Sequence, residues 1–187
     1  MRLFTGIDIP ERERAALDGL LSAMRPLAPL RWSVAANLHV TTKFIGDWPQ
    51  SRLEELLSVL AGTSVPPPIT TSLDGLGWFP NLHQPRIFWV SVKAPKELSG
   101  LVTATETQLL PLGIAPEDRP YRPHLTLARI DRPVDLAPVR RAVAALPSTT
   151  FGAFQARAFH LYLSESGRYT KLASFALPEL NLEEDKE

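Results

Sequence analysis

The sequence predicts an α+β protein: two pseudo-symmetric lobes of mainly antiparallel sheet, helices on the outer face, and a central cleft. Three observations carry this reading. Strand-like runs return through hairpin turns instead of alternating strictly with helices, which favours antiparallel pairing over βαβ units. A His-x-Thr tripeptide occurs twice, in Asn37-Leu38-His39-Val40-Thr41-Thr42-Lys43-Phe44-Ile45 and in Pro123-His124-Leu125-Thr126-Leu127-Ala128-Arg129-Ile130. Each half of the chain holds one such strand, a long helix and paired strands, so the repeat is one of architecture and not of sequence. The 187 residues include 44% hydrophobic ones, enough for a sizeable core, and 18 prolines, which imply many short elements with firm stops. No linker is long or flexible enough to separate independent domains, so one two-lobed unit over residues 1–187 is expected.

In order, Leu3 to Ile7 reads as a strand. From Pro10 the pattern turns helical, with Leu17, Leu20, Leu21 and Met24 on one side and Pro26 as the stop. A short strand around Arg31–Val34 precedes the first motif. Ser51 and Glu54 have the spacing of a capping box opening a second helix, with Leu53, Leu56, Leu57 and Leu60 inward. Pro66-Pro67-Pro68 is a stiff connector. Ile69–Leu76 and Ile87–Val92 read as a hairpin joined by an aromatic loop that carries Trp78, Phe79 and His83. A helix starts at Pro95 and ends at Gly113, and a link from Ile114 to Arg122 leads to the second motif. A helix over Asp135–Leu146 follows. Phe151–Leu163 and Thr170–Leu177 form the last hairpin, and the acidic tail 179–187 is expected to fray.

Composition excludes several function classes. Net charge is zero, so any polyanion must meet a local basic patch. There is no cysteine, hence no disulfide, thiolate metal site or cysteine nucleophile. The N-terminus reaches Asp8 too early for a signal peptide, and no apolar run approaches the ~20 residues of a membrane span. A cytoplasmic protein with no membrane partner is expected.

Within a strand, alternate side chains share a face, so His39 lies beside Thr41 and His124 beside Thr126. Two imidazoles across one cleft suit a reaction in which one accepts a proton while the other donates one, because imidazole titrates near neutrality. The hydroxyls and nearby cations can hold the oxygens of a tetrahedral phosphorus centre. In-line attack of water on a strained cyclic phosphodiester is the simplest reaction that fits. A zinc site would want a third protein ligand, and the nearest carboxylates, Asp47 and Asp131, lie beyond the strand ends. No nucleophile-elbow serine and no phosphate-cradling Gly-x-x-x-x-Gly-Lys loop is present. A non-catalytic RNA-binding module would be expected to show a basic surplus.

These motifs, the opening Arg2–Pro10, the block Tyr121–Arg129 and the ending Leu161–Tyr169 resemble the bacterial and archaeal RNA 2′,3′-cyclic phosphodiesterases, the 2′-5′ RNA ligase-like members of the two-histidine phosphoesterase superfamily. The similarity runs from Arg2 to about Leu177. The resemblance implies that family's two-lobed fold and hydrolysis of an RNA 2′,3′-cyclic phosphate end to a 2′-phosphomonoester, with no metal or other cofactor. It implies His39 as proton donor, His124 as proton acceptor, and Thr41 and Thr126 as phosphate-binding hydroxyls. Residue spacing alone does not decide which histidine is acid and which is base. Reverse 2′-5′ ligation of tRNA halves is a secondary implication, and no obligate protein partner is implied. Thr42 stands where many relatives carry an aliphatic residue, and it should face the core.

The remaining candidates are weighed by strand alternation. Lys43 shares the face of His39 and Thr41 and is a candidate for the phosphate or the next ribose, against a solvated strand-end lysine. Arg122 precedes the second motif and is a candidate phosphate ligand. Arg129 falls opposite His124 and reaches substrate only by turning round the strand end, against a structural ion pair. Phe44 is expected in the core. Trp78 and Phe79 are either base-stacking or a satellite cluster. His83 reads as a surface loop histidine and His160 as a strand histidine. Two alternatives stay open: an RNA-end-binding protein without turnover, and a cyclic phosphodiesterase of small nucleotides.

Overall fold

The computed structural model describes residues 1–93 and 96–178. The helix start at Pro95 and the tail 179–187 therefore lie outside the described residues. Among the described residues, nine strands form two antiparallel sheets. The first has the order β3-β1-β8-β9, built from β1 (Arg2–Asp8), β3 (His39–Asp47), β8 (Ala158–Glu165) and β9 (Arg168–Ala176). The second has the order β2-β6-β5-β4-β7, built from β2 (Arg31–Trp32), β4 (Ile69–Phe79), β5 (Ile87–Lys93), β6 (His124–Arg129) and β7 (Thr150–Ala156). The two motif strands contact each other across the lobes: β3 is the end strand of the first sheet, and β6 is second in its sheet, inside the two-residue β2.

The lobes do not follow the halves of the chain. Each sheet takes strands from both halves. The stretch expected as one strand over Phe151–Leu163 is two: β7 pairs with β4, the chain breaks at Arg157, and β8 pairs with β1 in the other sheet. Helices cross over as well. α1 (Glu11–Met24) follows β1 of the first sheet yet packs on β7 of the second, and α3 (Lys96–Leu109) follows β5 of the second sheet yet packs on β3 of the first.

The apolar periodicities account for this packing. Leu17, Leu20, Leu21 and Met24 of α1 are buried, as are Leu56 and Leu60 of α2 (Leu53–Ala61) and Leu98, Leu101, Val102 and Leu109 of α3. They join Leu73, Phe88, Leu125, Leu127, Phe159 and Leu161 from the sheets in the core. Each such side chain contributes about 1.5–3 kcal/mol by leaving water. α4 (Ala137–Ala144) is shorter than expected; the Asp135 carboxylate accepts from the Ala137 N–H (2.8 Å) and so starts the helix two residues later. The capping box at Ser51 does not form. Gln50–Arg52 makes a short 3₁₀ turn instead, Arg52 pairs with Glu55 (2.7 Å), and its guanidinium lies 4.6 Å from the Trp48 ring centroid. A 3₁₀ entry removes Ser51 from the capping position.

One irregularity sets the site. A β-bulge follows each motif threonine. Gly6 pairs with Thr41 but Thr5 pairs with Lys43, leaving Thr42 as the extra residue; Trp89 pairs with Thr126 but Phe88 pairs with Ala128, leaving Leu127 extra. An extra residue reverses the alternation beyond it.

Candidate active site

His39 and His124 are held in the same way. The Nδ1 of His39 lies 2.7 Å from the Asn37 carbonyl, and the Nδ1 of His124 lies 2.7 Å from the Arg122 carbonyl. Each ring therefore donates its Nδ1–H to the backbone two residues earlier. This leaves Nε2 as the working nitrogen, and that of His39 is 2.9 Å from the Thr41 hydroxyl. Each imidazole also has an aromatic edge-on at 5.1 Å between centroids, Tyr169 for His39 and Phe79 for His124. Phe4 lies against His39 at 4.7 Å. Gly6 makes room: a Cβ there would stand 2.9 Å from the Val40 carbonyl oxygen and 3.3 Å from Cδ2 of His39.

The two motifs face one space. The Tyr121 hydroxyl, just ahead of the second motif, donates to the Thr41 carbonyl of the first (2.8 Å). Burial holds both imidazoles below their ordinary titration range. The Asn37 and Arg122 carbonyls and, for His39, the Asp8 carboxylate oppose this, whereas the Arg129 charge lowers both and the His124 charge lowers His39 further. Arg129 is thus near both rings.

The bulges correct three expectations from alternation. Lys43 does not face the cleft. Its side chain is 2% exposed, and its ammonium donates to the Ala115 carbonyl (2.7 Å) and Glu106 Oε1 (3.0 Å). Phe44 is not core: it is 55% exposed and its ring centroid lies 6.2 Å from that of Phe4, the ring that packs on His39. Arg129 regains the face of His124 and Thr126 through the bulge itself, not by turning round the strand end. Phe44 and Arg129 occupy the same place, three residues after the motif threonine of their strands. Arg122 is exposed, and the atom it brings to His124 is its carbonyl oxygen. Thr42 is buried, with its hydroxyl 2.7 Å from that of Thr5. Trp78 and Phe79 end strand β4 instead of lying in the loop; Trp78 stacks on Phe88 at 4.3 Å, and Phe79 meets both Trp89 and His124. His83 is exposed, and His160 is a buried strand histidine.

Asp8 was not singled out by the sequence reading. It pairs with His39 across the β1–β3 ladder and accepts from Lys171 (2.5 Å) and Tyr162, with His160 Nε2 at 3.7 Å. Burial alone would raise its pKa; the hydrogen bonds from Lys171 and Tyr162 outweigh that and hold the carboxyl below its usual range. The available signal was alternation on β1, where Phe4, Gly6 and Asp8 share one face. Among the described residues no three His, Asp or Glu side chains converge as metal ligands.

Both the sequence and the fold are shared with known proteins. Residues 30–168 match the model of the 2′-5′ RNA ligase superfamily. This chain belongs to that superfamily. Curated relatives include an RNA 2′,3′-cyclic phosphodiesterase of Escherichia coli, 30% identical over 95% of this chain and 97% of its own length. Another of the same name, from Archaeoglobus fulgidus, is 29% identical over 86% of this chain and 89% of its own. Among solved structures, a Thermus thermophilus protein covers 96% of this chain and all of its own at 28% identity, TM-score 0.79. E. coli LigT complexed with 3′-AMP covers 95% of this chain and 98% of its own at 28% identity, TM-score 0.74. The superfamily's α+β fold of paired antiparallel sheets is the fold of this chain.

Proposed function

We propose that this protein hydrolyses RNA 2′,3′-cyclic phosphodiester ends to 2′-phosphomonoesters by metal-independent acid–base catalysis. The observation that carries the reading is the matched tethering of His39 and His124, each with Nδ1 on a backbone carbonyl and Nε2 left to act, that of His39 beside Thr41. His124 takes a proton from water as the oxygen attacks phosphorus. The bond from phosphorus to the ribose 3′ oxygen breaks, and His39 gives that oxygen a proton. Thr41, Thr126 and Arg129 hold the non-bridging oxygens, with Arg122 at the exposed rim as a further cation. Phe44 offers its face to the terminal base. With a 5′-hydroxyl in place of water, the same steps join it to phosphorus as a 2′-5′ linkage, His124 taking its proton and His39 protonating the departing 3′ oxygen, so 2′-5′ ligation of RNA fragments such as tRNA halves is the secondary activity. The relatives named as RNA 2′,3′-cyclic phosphodiesterases support the substrate class. Among the described residues no helix is long and apolar enough to cross a membrane, and we place the activity in the cytoplasm.

The deciding experiment incubates the protein with an oligonucleotide ending in a 2′,3′-cyclic phosphate, in excess EDTA, and identifies the product. A 2′-phosphate end is expected. A 3′-phosphate end, or dependence on added metal, would overturn the mechanism. Tight binding with no product would favour an RNA-end-binding protein instead.

A further inference from the structure

We infer that Arg31, Arg129 and Arg132 form a subsite for the phosphodiester one step upstream of the reacting end of the RNA. The inference rests on the proposed activity and adds to it the reason a chain would be preferred over a mononucleotide. A cavity of about 410 Å³ lies at the end of β6, lined by Pro29, Leu30, Arg31, Arg129, Ile130, Asp131 and Arg132. Three arginines and one aspartate thus share its lining, in a chain whose net charge is zero.

The ladder forces the crowding. β2 pairs with β6 so that Arg31 stands directly opposite Arg129, and paired residues of neighbouring strands share a face. Like charges placed so repel one another, and an anion between them removes the repulsion. Asp131 does this for one member only: its carboxylate takes Arg31 at 2.9 Å and 3.4 Å. That pair is open to solvent, with side chains 66% and 62% exposed, so it is weak and exchanges readily for a phosphate. Arg129 links the cavity to the active site, because it lines the one and stands on the strand face of His124 and Thr126 in the other. Arginine forks match the paired oxygens of a phosphodiester, and such contacts hold a nucleic-acid chain in place without reading its bases.

The test compares a 2′,3′-cyclic mononucleotide with a trinucleotide ending in the same group. Arg31→Met should raise KM for the trinucleotide roughly three- to tenfold and leave the mononucleotide unchanged. Asp131→Asn should act in the opposite direction, lowering the trinucleotide KM, because it frees Arg31. In a separate arm, a fluorescent trinucleotide ending in 2′-phosphate is titrated onto each variant over a range of salt. Loss of one phosphate contact should flatten the log Kd against log salt slope by about 0.7 for Arg31→Met. Equal effects on both substrates, no effect on either, or weaker binding in Asp131→Asn would overturn the subsite. If the native protein turned over neither substrate, the hydrolase reading would fail while the binding arm still decided the subsite.

Discussion

At the scale of single residues, the two histidines share a tether but differ in their neighbours. Both are driven toward the neutral form by burial, and Arg129 adds to this. Only His39 has a carboxylate opposing the trend, Asp8, held on the facing strand by Lys171 and Tyr162. An acid must carry its proton and a base must lack it, so the proposed roles of His39 as donor and His124 as acceptor require Asp8 to offset the burial, Arg129 and His124 that lower His39. His39→Ala or His124→Ala should each lower turnover by about 10²–10⁴-fold, with an unchanged far-UV circular dichroism spectrum. Asp8→Asn removes an influence that raises the His39 pKa, so that pKa should fall. The protonated fraction above it then drops tenfold per unit. Lys171→Met should push it the other way by leaving Asp8 less compensated. Titration of the His39 ring followed by NMR reads both variants; shifts of the same sign in the two would show that Asp8 matters to packing and not to the proton.

At the scale of elements, the bulges decide which side chains share the face of the motif histidines. Lys43 and Phe44 exchange the places that alternation assigns them, and each exchange has a measurable consequence. Lys43→Ala leaves Glu106, which is 18% exposed, beside the site of a lost buried cation. The loss should cost about 2–3 kcal/mol in urea unfolding, below the full value for a buried pair because Glu106 reaches water. The KM of the folded fraction should not move, whereas a phosphate-binding lysine would raise it. Phe44→Ala should do the reverse. Its side chain is more than half exposed, so stability should hold, while loss of a stacked base should raise KM for an oligonucleotide by about 1–3 kcal/mol. A drop in melting temperature with unchanged KM would return Phe44 to a packing role.

At the scale of the whole molecule, both sheets mix strands from the two halves of the chain, and α1 and α3 each cover a sheet other than the one they follow. Neither half can bury its apolar surface alone. A chain divided between β5 and α3 should yield two fragments that are unfolded apart, and the intact protein should unfold in one transition by fluorescence and circular dichroism alike. Independent folding of either fragment would contradict the interleaved arrangement. The same interleaving explains how residues distant in sequence come together: β3 and β6 of the two sheets contact each other, and the Tyr121 hydroxyl ties the link before one to the backbone of the other.

What was legible from residues alone follows from periodicity and turn chemistry. The alternation of strands, the i, i+3, i+4 stripes of the helices and the twice-occurring His-x-Thr are local properties, and they are enough for the α+β class and for naming His39, Thr41, His124 and Thr126 as candidates. Strand alternation also placed Thr42 inward and would have led to Asp8. The rest depended on pairing partners that no local pattern names. A bulge exists only relative to the strand it opposes, so the reversal that buries Lys43 and presents Phe44 and Arg129 could not be read from one strand. The break at Arg157 likewise reflects a change of sheet, and the neighbours that load each imidazole come from four strands. By itself the sequence determined what chemistry the chain carries; only the tertiary structure decided which charges and rings surround that chemistry, because side-chain direction in a sheet is set by register, and register is a property of two strands at once.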